Sequence, residues 1–226
     1  MCQKPKLTPM KRSSLLLRFT LLFAAVLLLG QGTAFAQSGQ DIIERLQNKY
    51  ASFDVLKADF RQTTSSDYLD SEQQFSGTLF FKGTQYRVET ESQTIVTDGT
   101  VTWIHNMTEN QVLINDFVED ETTFMLNDFL FNFEDNYEIV STGRALLGGK
   151  DHHMLRLRTK DPHAFFREVT LLMRDADDLV TRLEVVDMEE TKLLFELREI
   201  VIDPPVNENT FYFVPPNGTE IIDLRS

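Results

Sequence analysis

The chain has one cysteine, Cys2, and one tryptophan, Trp103. A single cysteine excludes an intramolecular disulfide framework, and none remains beyond the N-terminal region for thiol chemistry. Basic residues are also scarce: 22 Lys and Arg stand against 35 Asp and Glu. Lys4, Lys6, Lys11, Arg12 and Arg18 all precede residue 19, and no acidic residue precedes Asp41. From residue 37 onward 17 basic residues face 35 acidic ones, a net charge of −18. Such a surface repels nucleic acid and anionic lipid headgroups, so no nucleic-acid role is expected. Contact with a lipid must be apolar or run through a basic partner.

Motifs for covalent chemistry are missing as well. The chain has no nucleophile elbow G-x-S-x-G and no glycine-rich phosphate loop. The histidines are His105, His152, His153 and His163, and the run "DHHM" invites a metal reading. Adjacent residues of a strand point to opposite faces, so this pair chelates poorly and no metal is expected. The carboxylates gather at turns ("DADD", "VEDE", "FEDN"), where solvation explains them. No pair stands out as catalytic, no cofactor is called for, and a binding protein is favoured over an enzyme. "NMT" at 106 and "NGT" at 217 match the glycosylation pattern without further support.

The N-terminus has the marks of a secretory leader. The five basic residues lead into an apolar run, Phe19 to Leu29, and "TAFAQS" places Ala34 and Ala36 at the A-x-A positions. Residues 1–36 are therefore read as a signal peptide cleaved after Ala36, with either Met1 or Met10 as the start. The run is shorter than the ~20 residues that span a bilayer. Cys2 precedes the run and is not a lipidation site. Residues 37–226, about 190 in all, fit a single domain with a full core. No Gly/Ser or Pro-rich linker and no repeat divides them.

Within that domain, "QDIIERLQNKYAS" (40–52) predicts an amphipathic helix with Ile42, Ile43, Leu46 and Tyr50 on one stripe. Period-two alternation then dominates. "VLKADFRQT", two strands within "SGTLFFKGTQYRVET", a hairpin about Asp98-Gly99 in "QTIVTDGTVTWIHN" and "QVLINDFV" form a first series. "MLRLRTK", "REVTLLMR", "LVTRLEVVD", "KLLFELREIVI" and "TFYFVPP" form a second. About ten antiparallel strands of this kind curl or close to remove exposed edges. Pattern alone leaves sandwich and barrel both open.

Between the two series lies "ETTFMLNDFLFNFEDN". As a helix over 122–133 it puts Met125, Leu126, Phe129, Leu130 and Phe133 on one arc, with Phe124 and Phe131 outside it. A core helix buried on two sides and a lid with one side on an apolar ligand both fit.

Several segments occur together and in order: "LKADFRQ" (56–62), "FSGTLFFKG" (75–83), "QYRVE" (85–89), "IVTDGTVTWIHN" (95–106), "TTFML" (122–126) and "FYFVPPNGTEIID" (211–223). In this the chain resembles the LolA family of periplasmic outer-membrane lipoprotein carriers. The resemblance implies a mainly antiparallel, half-closed curled β-barrel with a few helices forming a lid over an apolar cavity. It implies a monomer in the periplasm that shelters the acyl chains of lipoproteins. The implied partners are acylated lipoproteins, an inner-membrane LolCDE-type ABC transporter and an outer-membrane LolB-type acceptor. No covalent chemistry is involved.

On this basis the cavity and lid residues are Leu56, Phe60, Leu79, Phe81, Arg87, Ile95, Trp103, Met125, Phe129 and Phe133. Phe81 should share the cavity face with Phe75, Gly77 and Leu79, while Phe80 lies opposite. One departure stands out. The family places an Arg-Pro pair after the hairpin lysine, whereas Lys82 is followed here by Gly83-Thr84. The role of that Arg-Pro arginine therefore does not carry over to Arg87. It is either a solvent-face arginine paired with Glu89 or Glu91, or a contact at the cavity mouth. Two other functions fit such a half-barrel or its acidic turns: a periplasmic lipid-sensing regulator or other hydrophobic-ligand binder, and a secreted enzyme with carboxylate chemistry at those turns. Related sigma-factor regulators carry an additional C-terminal domain, so the carrier is the expected reading.

Overall fold

The computed structural model describes residues 31–68, 71–117 and 136–225. One helix, α1 (Gln31–Ala51), is followed by a single twelve-stranded sheet. The first meander comprises β1 (Leu56–Ser65), β2 (Gln73–Lys82), β3 (Gln85–Thr90), β4 (Gln93–Thr97), β5 (Val101–Asn106) and β6 (Gln111–Asp116). The second comprises β7 (Tyr137–Leu147), β8 (Lys150–Thr159), β9 (Phe166–Arg174), β10 (Val180–Asp187) and β11 (Lys192–Ile202). They join side by side where β1 pairs antiparallel with β11. A last strand, β12 (Glu220–Asp223), adds to the far edge parallel to β6; every other pairing is antiparallel. The sheet order runs from β12 to β7, and those two edges do not pair, so the sheet is not closed.

The sheet is nonetheless strongly curled. Ile95 on β4 and Leu183 on β10 line one pocket. Their strands are five steps apart, about 24 Å in a flat sheet at ~4.8 Å per step. Only a concave surface brings them together. Helix α1 occupies part of that concavity. Its stripe of Ile42, Ile43, Leu46 and Tyr50 is buried against Leu155 and Leu157 of β8, Val169 and Leu171 of β9, and Leu183 of β10. The Tyr50 hydroxyl accepts the Val180 N–H at 3.4 Å, and burial pushes the Tyr50 phenol well above its ordinary value.

A second, smaller core lies on the convex face. Val96, Trp103, Val112 and Ile114 are covered there by Phe213 from the segment between β11 and β12. The convex face is thus partly roofed by chain, whereas part of the concave face beside α1 forms the pocket described below.

Three expectations are corrected. The described residues form twelve strands, because "YEIVSTGRALL" forms β7 and "EIID" forms β12. "TFYFVPP" is not a strand: prolines at 204, 205, 215 and 216 bracket it, and it lies over the sheet rather than within it. Among the described residues there is one helix, and α1 begins at Gln31, upstream of the predicted start. The helix expected over 122–133, with Met125, Phe129 and Phe133, lies outside the described residues, as does most of the predicted leader.

Candidate functional site

Register fixes which side chains share the concave face. Leu56, Ala58, Phe60 and Gln62 of β1 stand opposite Phe81, Leu79, Gly77 and Phe75 of β2. Phe81 and Leu79 stand opposite Tyr86 and Val88 of β3, and Val88 opposite Ile95 of β4. On the other flank Phe60 meets Leu197 and Gln62 meets Phe195 of β11, while Leu183 of β10 faces Phe195. Alternation along the strands lays down this apolar lattice, with register shifts in the pairings of β1 with β11 and of β9 with β10.

The lattice forms a pocket of about 340 Å³ beside α1. Phe60 and Phe75 sit edge to face at its floor, with ring centroids 6.1 Å apart. Gln62 and Arg182 are the polar members of an otherwise apolar and aromatic wall, apart from the phenol of Tyr86. Burial pushes the Tyr86 phenol above its ordinary value, so it stays neutral. The lining offers dispersion and desolvation and no nucleophile or base. Chemically it can hold an apolar group.

Phe81 also lines a second hollow of about 420 Å³ at the end of the concavity. Tyr50, Phe53 and the β2–β3 turn form its sides. Lys82 pairs there with Asp54 at 2.7 Å, tying the end of β2 to the α1–β1 connection. Gly83 has φ +58° at the turn that replaces the Arg-Pro pair. Asp203 reinforces the same corner, since its carboxylate accepts the Asp54 and Val55 N–H groups at 2.8 and 3.0 Å. Those bonds hold it below the usual carboxylate range.

At the opposite side of α1 a charged network fastens the helix to the sheet. Arg45 pairs with Asp178 and reaches His153 at 3.1 Å. Asp175 accepts from Arg144 at 2.9 Å and lies 2.6 Å from His153. The Arg144 hydrogen bond is the main reason Asp175 is held below its ordinary value. His152, next in sequence, is on the other face: it is buried, with Nε2 2.9 Å from the Thr181 hydroxyl. The two histidines therefore do not converge on a point.

Of the residues singled out from the sequence, Phe60, Leu79, Phe81 and Ile95 meet in the concave pocket. Leu56 lies on the same face but is buried in the main core beside α1. Arg87 and Trp103 are on the convex face, because Arg87 stands opposite Val96 and Val96 opposite Trp103 in one cross-strand row. That row corrects their grouping with the cavity. Phe75, expected on the cavity face, lines the pocket too, and Tyr86, Val88, Leu183, Phe195 and Leu197 line it without having been singled out. The alternation of β3 offered Tyr86 and Val88. The β11 residues needed the β1–β11 pairing, which no local pattern reveals.

The family described as "Outer membrane lipoprotein carrier protein LolA" matches residues 51–214. The chain belongs to the LolA family. It is similar to proteins named outer-membrane lipoprotein carrier protein. One from Haemophilus influenzae (strain PittEE) is 28% identical over 222 residues, covering 91% of this chain and 97% of the relative. Another, from Halorhodospira halophila (strain DSM 244 / SL1), is 25% identical over 213 residues, covering 91% and 95%. Among solved structures, an uncharacterized conserved protein from Thermus thermophilus superposes with a TM-score of 0.55. At 14% identity, over 82% of this chain and 99% of that one, it speaks for the fold alone.

Proposed function

We propose that the chain is a periplasmic carrier that shelters the acyl chains of lipoproteins and shuttles them between membranes. It would be delivered through its cleaved N-terminal leader. It would accept cargo from an inner-membrane LolCDE-type ABC transporter and release it at the outer membrane to a LolB-type acceptor. The role is binding, with no covalent chemistry, in keeping with a carrier family. The observation that carries the reading is the apolar pocket: aromatic and aliphatic side chains from six strands converge on a space that α1 does not fill.

The energetics favour such a device. An acyl chain of about 15 methylenes gains roughly 12 kcal/mol on leaving water, at ~0.8 kcal/mol per CH₂. It will not cross an aqueous compartment unaided. The net charge of −18 from residue 37 onward keeps the carrier off anionic headgroups, so cargo rather than membrane occupies the apolar surface. Release requires that net affinity stay well below the gross figure, through the entropy of ordering both partners.

The test is to purify the protein from the periplasm of its own host and extract what is bound. Co-purification of acylated lipoproteins, lost on depletion of the ABC transporter, is the expected result. A small hydrophobic molecule in their place, or turnover of an ester or glycoside, would sink the carrier reading.

A further inference from the structure

The convex face holds a hollow of its own, polar where the concave pocket is apolar. One cross-strand row there runs Lys57, Phe80, Arg87, Val96, Trp103, Ile114 over β1 to β6. The segment between β11 and β12 crosses the row. Its Phe213 seals the Val96–Trp103 end, and Tyr212 meets the Trp103 ring edge-on at 5.1 Å. Toward Phe80 the segment stands clear of the sheet. It leaves a space of about 390 Å³ between Phe80, Arg87 and Glu89 below and Asn207, Asn209 and Tyr212 beside it.

Arg87 is the decisive residue. Its side chain is 21% exposed, yet the guanidinium's one described partner is Glu89, bound through Nε at 2.7 Å. Among the described residues neither terminal nitrogen of the fork has a hydrogen-bond partner. Nor has the side-chain amide nitrogen of Asn207, whose oxygen accepts the Asn209 N–H at 2.9 Å. A second cation is close, with Lys57 Nζ 5.5 Å from the Phe80 ring centroid. A half-buried guanidinium with its planar donor edge unused matches one ligand chemistry well, the bidentate oxyanion. Glu89 is the more exposed partner, at 42%, so it is the group that yields to an incoming anion.

We propose that the hollow between β2–β3 and the segment before β12 is a binding site for an oxyanionic group, a carboxylate or a phosphate. Arg87 is its bidentate anchor, and Asn207 and Asn209 are amide donors on the opposite wall. The site is separate from the apolar pocket: Phe80 and Arg87 face it, whereas Leu79, Phe81 and Val88 face the other side of the same strands. It stands whether or not the chain carries acyl groups. In a chain this acidic, a recess that presents the free edge of a guanidinium recognises an acidic feature of a partner or ligand that the surrounding surface would repel.

The experiment is titration of the isotopically labelled protein with sodium phosphate and with sodium acetate, against sodium chloride at matched ionic strength. Backbone and side-chain NMR shifts of Arg87, Asn207 and Asn209 are followed. Saturable shifts are expected with at least one oxyanion and not with chloride. Phosphate alone, acetate alone or both would assign the source. Arg87→Gln should weaken binding at least tenfold. Glu89→Gln, which removes the competing carboxylate, should tighten it several-fold, an opposite sign that a merely structural Arg87 would not produce. Absence of saturable shifts with both oxyanions overturns the proposal, as does unchanged affinity in Arg87→Gln. If Arg87→Gln does not fold, unchanged or weaker binding in Glu89→Gln overturns it instead.

Discussion

Phe60 on β1 stands directly opposite Gly77 on β2, and its ring lies over the place a side chain would take. A Cβ added at Gly77 would come 3.1 Å from the Phe60 ring and 1.9 Å from the Glu89 carbonyl oxygen of β3. The second contact is with backbone, so β3 would have to move away from β2. Gly77→Ala is therefore expected to destabilise the protein by about 1–3 kcal/mol, the range for overpacked sites. A urea titration showing a lower midpoint at unchanged slope would bear this out. An unchanged midpoint would contradict the close approach.

Leu79 and Thr78 are neighbours in sequence on opposite faces of β2, and they make a matched pair for testing the pocket. Leu79→Glu places a carboxylate among Val88, Ile95 and Phe81. Affinity for an apolar fluorescent probe such as N-phenyl-1-naphthylamine should fall at least tenfold, or about 1.4 kcal/mol. Thr78→Lys points to the convex face, between Asp59 and Glu89, and should leave probe affinity within a factor of two. Equal losses in both variants would show that the probe binds elsewhere.

The concave face was legible in sequence to the extent that alternation and turn chemistry are local. Leu79 and Phe81 share a face because they are two residues apart. Asp98 makes its hairpin turn by accepting the Thr100 and Val101 N–H groups, both at 2.8 Å. The helical stripe from Ile42 to Tyr50 is likewise local. What failed was long-range or was borrowed. The pairing of β1 with β11 joins residues 127 (Ser65 with Lys192) to 146 (Leu56 with Ile202) positions apart, and no local pattern encodes it. Aromatic alternation in "TFYFVPP" resembles a strand, yet Phe213 is buried from above the sheet and Tyr212 turns to the Trp103 edge. Family likeness groups Trp103 with Ile95, although the hairpin about Asp98-Gly99 places Ile104, not Trp103, across from Ile95.

Helix α1 is held by packing at its middle and by charges at its flank. Leu46 is fully buried against the sheet. Leu46→Ala should cost about 3 kcal/mol, the usual scale for a buried leucine truncated in a rigid core. Hydrogen exchange should show the loss first in α1 and the facing strands β7 to β10. Protection there equal to that of the parent protein would mean that the helix contributes little to the fold.

Acid should loosen the corner beneath α1 before it unfolds the rest. Asp203 has a depressed folded-state value because its carboxylate accepts the Val55 and Asp54 N–H groups. A depressed carboxylate stabilises the fold above its unfolded value, near 3.8, and that contribution is lost as pH falls through the lower folded value. The melting temperature should thus hold between pH 7 and 5 and drop below about pH 4, the ordinary carboxylate range. Asp203→Asn should lower the plateau and flatten part of the drop. A parallel displacement of the whole curve, with the acid limb unchanged, would assign the drop to the other depressed carboxylates, Asp175, Asp177 and Asp223.

Trp103, the sole tryptophan, reports on one face of the sheet only. Phe213 and Tyr212 cover it on the convex side, while the pocket lies across the sheet from it. Phe213→Ser should uncover the indole and shift its emission to longer wavelength, at a cost of about 3 kcal/mol for a buried aromatic lost. Filling the concave pocket with an apolar ligand that does not itself absorb should leave the emission nearly unchanged, because the ring and the lining side chains lie on opposite faces of the sheet. A strong emission change on loading, in a protein whose β5 register is intact, would place Trp103 in the ligand's surroundings. It would then restore the grouping that the cross-strand row from Arg87 to Trp103 argues against.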